Sequence, residues 1–165
     1  SKILRARTTA QIGRYKCWAK LQTLFTVARG INGQTFGKAR ITIDGGHYKG
    51  QLNKLCLACF ANVQLKMNVS DQGKATDEEK VILSHELAMI EGRDFDSNFS
   101  KSIEVTVIEG KTYFVDLYLE TGARGVSAGA SVADFGLGDY KVTYEKVKVE
   151  ILESGMPASG PGRYR

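Results

Sequence analysis

Apolar and polar side chains alternate with a period of two through most of the chain. The clearest run is 55–69, where Leu55, Leu57, Cys59, Ala61, Val63, Leu65, Met67 and Val69 hold the odd positions. Asn62, Gln64, Lys66 and Asn68 hold the even positions of its second half. Such alternation puts one face of a strand in a core and the other in water. Cys56, Ala58 and Phe60 make the first half apolar on both sides, so this stretch is expected to be one strand covered on both faces at its start. Segment 15–28 repeats the theme, with Cys17, Ala19, Leu21, Phe25 and Val27 inward and Lys16, Lys20 and Gln22 outward. In 36–43, Ala39, Ile41 and Ile43 oppose Lys38, Arg40 and Thr42.

Ile103, Val105 and Val107 form a further strand, and Tyr113, Val115, Leu117 and Leu119 the next, with Glu109-Gly110-Lys111 as the tight turn between them. A last pair of strands is expected at 126–135 and 140–152. In the second of these, Tyr140, Val142 and Tyr144 change phase at Glu145-Lys146 to Val147, Val149 and Ile151. A slip of one residue marks a β-bulge or a strand that changes sheets. One segment supports two periods. Thr76-Asp77-Glu78-Glu79 has the form of a capping box, and Leu83, Leu87 and Ile90 keep helical spacing, which predicts a short helix over 77–91. Val81, Leu83, His85, Leu87 and Met89 also alternate, which predicts a strand there instead.

Seven or eight short strands with frequent turn signals predict an all-β fold, an antiparallel β-sandwich or jelly roll. At 165 residues the chain has the length of one domain. We place that domain at 1–153, with a basic N-terminal arm, and a mobile tail at 154–165 that lacks any apolar period. The stretch Tyr113–Leu119, Thr121-Gly122-Ala123 and Ala128–Gly136 is built on alternation with many small residues. It resembles the closing strands of β-sandwich domains in secreted and surface-attached bacterial proteins. The resemblance implies an extracellular, non-catalytic domain and transfers no functional residue.

Charge is unevenly distributed. Residues 1–54 hold eleven Lys/Arg against one acid, Asp44, and residues 55–165 hold twelve against seventeen, so +10 and −5 make up the net +5. Such asymmetry points to an anionic partner or to self-association between unlike surfaces. No window approaches the roughly 18 consecutive apolar residues of a spanning helix, and the first residues contain no apolar core of a signal peptide. Sequons at Asn68-Val69-Ser70 and Asn98-Phe99-Ser100 tilt the compartment toward the outside of the cell.

Chemistry-bearing motifs are sparse. Cys56-Leu57-Ala58-Cys59 has the spacing of a zinc or redox pair, but only Cys17, His47 and His85 remain to complete a tetrahedral site. Residues three apart on a strand also face opposite ways, so Cys56 and Cys59 are expected as buried free thiols. Asp94-Phe95-Asp96 opens like a calcium loop, yet Phe99 and Val105 stand where an EF-hand needs glycine and glutamate. A looser calcium site from Asp94, Asp96 and Asp71 is the one metal candidate, and no other cofactor is expected. No phosphate-binding loop or nucleophile motif occurs.

Binding is the class that fits. Trp18, the single tryptophan, faces outward between Lys16 and Lys20. If 36–43 is its neighbour, Lys38 and Arg40 join the same face, with His47 and Tyr48 on a rim loop at 45–50. An exposed indole among cations suits a sugar ring or an anionic glycan. Nucleic acid is disfavoured, because the basic arm lacks interleaved stacking platforms. The expected function is a non-enzymatic module for a carbohydrate or other surface ligand. Two alternatives stand beside it: an assembly protein forming homo-oligomers through its basic and acidic halves, and an enzyme with a carboxylate or metal site.

Overall fold

In the computed structural model the chain is described over residues 1–28, 35–71, 78–126 and 130–157. It is an all-β protein, with two antiparallel sheets packed face to face as a β-sandwich. Its strands are β1 (Lys2–Leu4), β2 (Ala6–Ala10), β3 (Gly13–Thr26), β4 (Thr35–Lys54), β5 (Phe60–Asp71), β6 (Glu78–Glu86), β7 (Glu91–Ile108), β8 (Thr112–Gly125), β9 (Ser131–Phe135), β10 (Lys141–Tyr144) and β11 (Lys146–Pro157). Among the described residues no helix is long and apolar enough to cross a membrane.

The smaller sheet has the order β3-β8-β5-β6, so β3 and β6 are its edges. The larger sheet is organised around β4. One side of β4 pairs with β7 along nearly its whole length. The other side pairs in succession with β11, β10 and β9, and β1 and β2 add outside β10 and β9. The basic stretch expected as an arm is thus built into the sheet as β1 and β2. Arg5 fixes it there by donating from Nη1 to the carbonyls of Gly136, Gly138 and Tyr140.

β4 changes phase halfway. Ala39, Ile41 and Ile43 point into the core, and beyond Asp44-Gly45 the inward positions become Gly46, Gly50 and Leu52. The ladder to β7 shifts between Ile43 and Gly46, which is a β-bulge. Gly45 sits at φ +66°, a left-handed conformation that glycine adopts without a Cβ penalty. The phase change read at Glu145-Lys146 is the matching break on the facing strands. Glu145 donates its N–H to the Asp44 carbonyl at 3.1 Å, while β10 and β11 both stay on β4. The slip is therefore a bulge and not a change of sheet.

The core lies between the sheets. Ile41, Ile43, Leu52, Phe135 and Val142 of the larger sheet meet Val63, Leu65, Met67, Val115, Leu117 and Leu119 of the smaller. Thr8 and Thr121 join the sheets through a buried hydroxyl pair at 2.8 Å. The Glu109–Lys111 turn closes as expected, with Gly110 at φ +84° and the Lys111 N–H on the Ile108 carbonyl at 3.2 Å.

Four expectations change. Residues 78–86 form strand β6, not a helix, because the free edge of β5 offers a full ladder of backbone partners. Ile82 is the extra residue of a bulge in that ladder, which is why the segment carries two periods at once. Thr76 and Asp77 of the capping box lie outside the described residues, as do Ala128 and Gly129 of the small-residue stretch. The strand expected at 55–69 begins only at Phe60, and 55–59 is a turn. In that turn Cys56 and Cys59 form a disulfide, with Cα atoms 5.1 Å apart, so they are not free thiols. The opposite-face argument fails because the segment is not extended. Tail residues 154–157 continue β11, and 158–165 lie outside the described residues.

Two outcomes are expected. The Gly50 Cα lies under the Phe135 ring, so a Cβ there would run into a fully buried side chain. Gly50→Ala should cost about 1–3 kcal/mol in chemical denaturation. Combined with Phe135→Leu, the loss should be smaller than the sum of the two, since the shared clash is removed. Thiol titration of the unfolded protein should find one reactive group, Cys17, before reduction and three after it. Three before reduction would exclude the disulfide.

Candidate functional site

The register of the smaller sheet aligns its outward side chains in rows. Trp18 lies beside Glu120 and Gln64, Lys20 beside Tyr118 and Lys66, and Gln22 beside Asp116 and Asn68. These positions point outward because the odd positions of β3, β5 and β8 face the core. They enclose a shallow groove of about 440 Å³, lined by Trp18, Lys20, Lys66, Asn68, Asp116 and Tyr118, with Glu79 and Glu120 at its margins. That size falls within the usual range of small-molecule sites.

Trp18 is 61% exposed and stacks on Tyr118, with ring centroids 5.9 Å apart and planes 27° from parallel. The Lys66 ammonium sits 5.5 Å from the Tyr118 ring centre, so the phenol is held between an indole and a cation. The Tyr118 hydroxyl donates to Glu120 Oε2 at 2.9 Å. Burial, reinforced by that bond to an anion, pushes the Tyr118 pKa up to about 12. Asp116 is 9% exposed, and its Oδ1 is buried without a hydrogen-bond partner. Asn68 Oδ1, directly across the ladder, is likewise buried and unpartnered. A buried acceptor left unsatisfied costs about 1–3 kcal/mol.

Charge in the groove is balanced. Lys16 pairs with Glu120 at 3.6 Å and Lys66 with Glu79 at 3.3 Å. Lys20 and Asp116 make no ion pair with described residues, and they leave one cation and one anion.

The seven residues singled out from sequence separate into two groups. Lys16, Trp18 and Lys20 come together on this face. Lys38 and Arg40 do not join them, because β3 and β4 belong to different sheets. Arg40 instead lies on the opposite outer surface between Glu104 and Glu150, at 3.1 and 3.8 Å. Positions 45–50 are not a loop but the middle of β4. His47 faces outward on Asp96 at 2.6 Å, while Tyr48 turns inward and stacks on Phe99. Of the calcium candidates, Asp71 binds Lys111 in the smaller sheet, whereas Asp94 and Asp96 lie on β7 in the larger. Among the described residues no three His, Cys, Asp or Glu side chains converge as a metal site.

Tyr118, Asp116, Lys66 and Asn68 are the residues that sequence reasoning missed. The alternation that marks them as outward is visible in the sequence, but their strands become neighbours of β3 only through the sheet order. Comparison of the chain with protein-family models, with curated proteins and with solved structures finds no match.

Alkaline titration should test the packing of Tyr118. Its folded pKa lies above the free-tyrosine value of about 10, so its contribution to stability is present below pH 10 and is lost as pH climbs toward about 12. Phenolate absorbance should show a late step near that pH that diminishes in Tyr118→Phe. Burial also raises the Tyr113 pKa, so a late step of undiminished size in the variant would mean that Tyr118 does not contribute to it.

Proposed function

We propose that the protein is a non-enzymatic carbohydrate-binding module whose site is the groove on the smaller sheet. The observation that carries this is the exposed Trp18, stacked on Tyr118, beside the buried and unpartnered carboxylate oxygen of Asp116. A pyranose ring has an apolar C–H face and a rim of hydroxyls. The indole offers a flat partner for the first, and Asp116 and Asn68 offer acceptors for the second.

The balance of charge narrows the ligand. An anionic glycan needs an excess of cations, and the cluster that would have supplied it is divided between two sheets. Lys16 and Lys66 are already neutralised by Glu120 and Glu79. A neutral sugar asks for no counter-charge, so neutral glycans are the ligand class we favour. A disulfide in the Cys56–Cys59 turn supports an oxidising compartment, in keeping with a ligand met outside the cell.

The test is a glycan array followed by calorimetry on any hit. Trp18→Ala should weaken binding at least tenfold, equal to about 1.4 kcal/mol, with an unchanged far-ultraviolet spectrum. Asp116→Asn should weaken it as well, while Lys38→Ala and Arg40→Ala should leave it unaltered. Undiminished affinity in Trp18→Ala, or preference for sulfated over neutral glycans, would overturn the proposal.

A further inference from the structure

Among the described residues both lateral edges of the sandwich end in strands without an outer neighbour, and their charges are opposite. One edge is built by β3 in the smaller sheet and by β1, β2 and β11 in the larger. Residues 1–26 contribute six Lys/Arg and no acid to it, and β11 adds two Lys and two Glu. The other edge is built by β6 and β7. Residues 78–108, which form it, contain seven acids and three Lys/Arg. The asymmetry along the sequence thus becomes an asymmetry across the molecule, with a basic flank and an acidic one.

The strand directions match as well. Successive strands of the smaller sheet are antiparallel, so β3 and β6, at positions one and four, run in opposite directions. Translating one copy sideways places its β3 antiparallel to the β6 of its neighbour, which is the pairing an edge strand accepts. The rows of the ladder also continue in register. Lys16 lies in the row that ends at Glu86, Trp18 in the row that ends at Ser84, and Lys20 in the row that ends at the exposed Val81. Across the junction Lys16, which within one copy pairs with Glu120 at 3.6 Å, would face Glu86, and Glu79, which pairs with Lys66 at 3.3 Å, would lie one row from Lys20. Cross-strand pairs of opposite charge favour such a junction, whereas pairing β3 with a second β3 would oppose lysine to lysine. β3 is a fourteen-residue edge without proline, so its backbone does not obstruct strand addition.

We propose that the partner for each flank is a second copy of this chain. The β3 edge of one copy adds to the β6 edge of the next and continues the smaller sheet from molecule to molecule. The contact is head-to-tail, so it repeats into a ring or a filament rather than closing as a dimer. This inference does not depend on the sugar-binding reading: it is argued from strand edges and their charges, and although Lys20 and Glu79 also line the groove, the salt dependence of wild-type assembly is read without any sugar.

Sedimentation velocity on the intact protein tests it. At about 0.01 M salt the screening length is roughly 30 Å, and at about 1 M it is roughly 3 Å. The wild-type protein should sediment as species several times the 18.1 kDa chain at low salt and return to one chain at high salt. Arg14→Glu with Lys20→Glu should abolish assembly, and so should Glu79→Lys with Glu86→Lys. An equal mixture of the two variants, each shown to be folded by circular dichroism, should assemble again, since each now offers what the other lacks. A wild-type protein of single-chain mass at both salts would overturn the proposal without recourse to any variant. So would assembly indifferent to salt, or a mixture that stays dispersed.

Discussion

A single twenty-residue strand, β4, carries the backbone pairing of the larger sheet on both of its sides. β7 runs along one side of it, while β11, β10 and β9 share the other. A strand this long cannot stay flat against a compact core, because accumulated twist would carry one end off the opposing sheet. The bulge at Asp44-Gly45 resolves the conflict by restarting the inward phase at Gly46. The Glu145–Asp44 hydrogen bond holds the facing strands to the same break, so both halves keep an apolar inner face. Gly46 and Gly50 then leave room for the rings of Phe99 and Phe135, which fill the core where β4 has no side chain.

The smaller sheet, like the larger, keeps an open outer surface. Its four strands are short enough to place residues of β3, β8 and β5 in the same rows, and the groove follows from those rows. What distinguishes this surface from the opposite one is the state of its polar atoms. On the larger sheet Arg40, Lys49, Lys148 and His47 are each held by an acid. On the smaller, Asp116 and Asn68 retain unsatisfied oxygens beside an exposed indole.

The charge asymmetry runs across the molecule from one edge strand of the smaller sheet to the other. It could have been cancelled within the fold, with basic strands beside acidic ones, and in part it is: Arg7 binds Asp134 and Lys111 binds Asp71. The sheet order nevertheless sends the most basic segment and the most acidic segment to opposite flanks, where they cannot neutralise each other inside one copy. The groove spans the smaller sheet from β3 to β6, so its ends, at Trp18 and Lys20 and at Glu79, lie on the same edge strands that carry the flanking charges.

Period-two alternation was enough to establish the all-β class, the hairpin at Glu109–Lys111, the break at Glu145-Lys146 and the outward direction of Trp18, because all four are local consequences of backbone geometry. The disulfide and the strand at 78–86 were not legible in the same way. Each depended on whether a neighbouring segment was extended or turned, and an apolar run such as 55–59 has the same letters in either state. The partners of Trp18 were further still from the sequence. Tyr118 and Asp116 lie about a hundred positions away, and the sheet order alone chose β8 over β4 as the neighbour of β3, which excluded Lys38 and Arg40. Side-chain direction is set by the residue's own backbone, but adjacency is set by which strands pair, and pairing is decided by burying all the apolar faces at once.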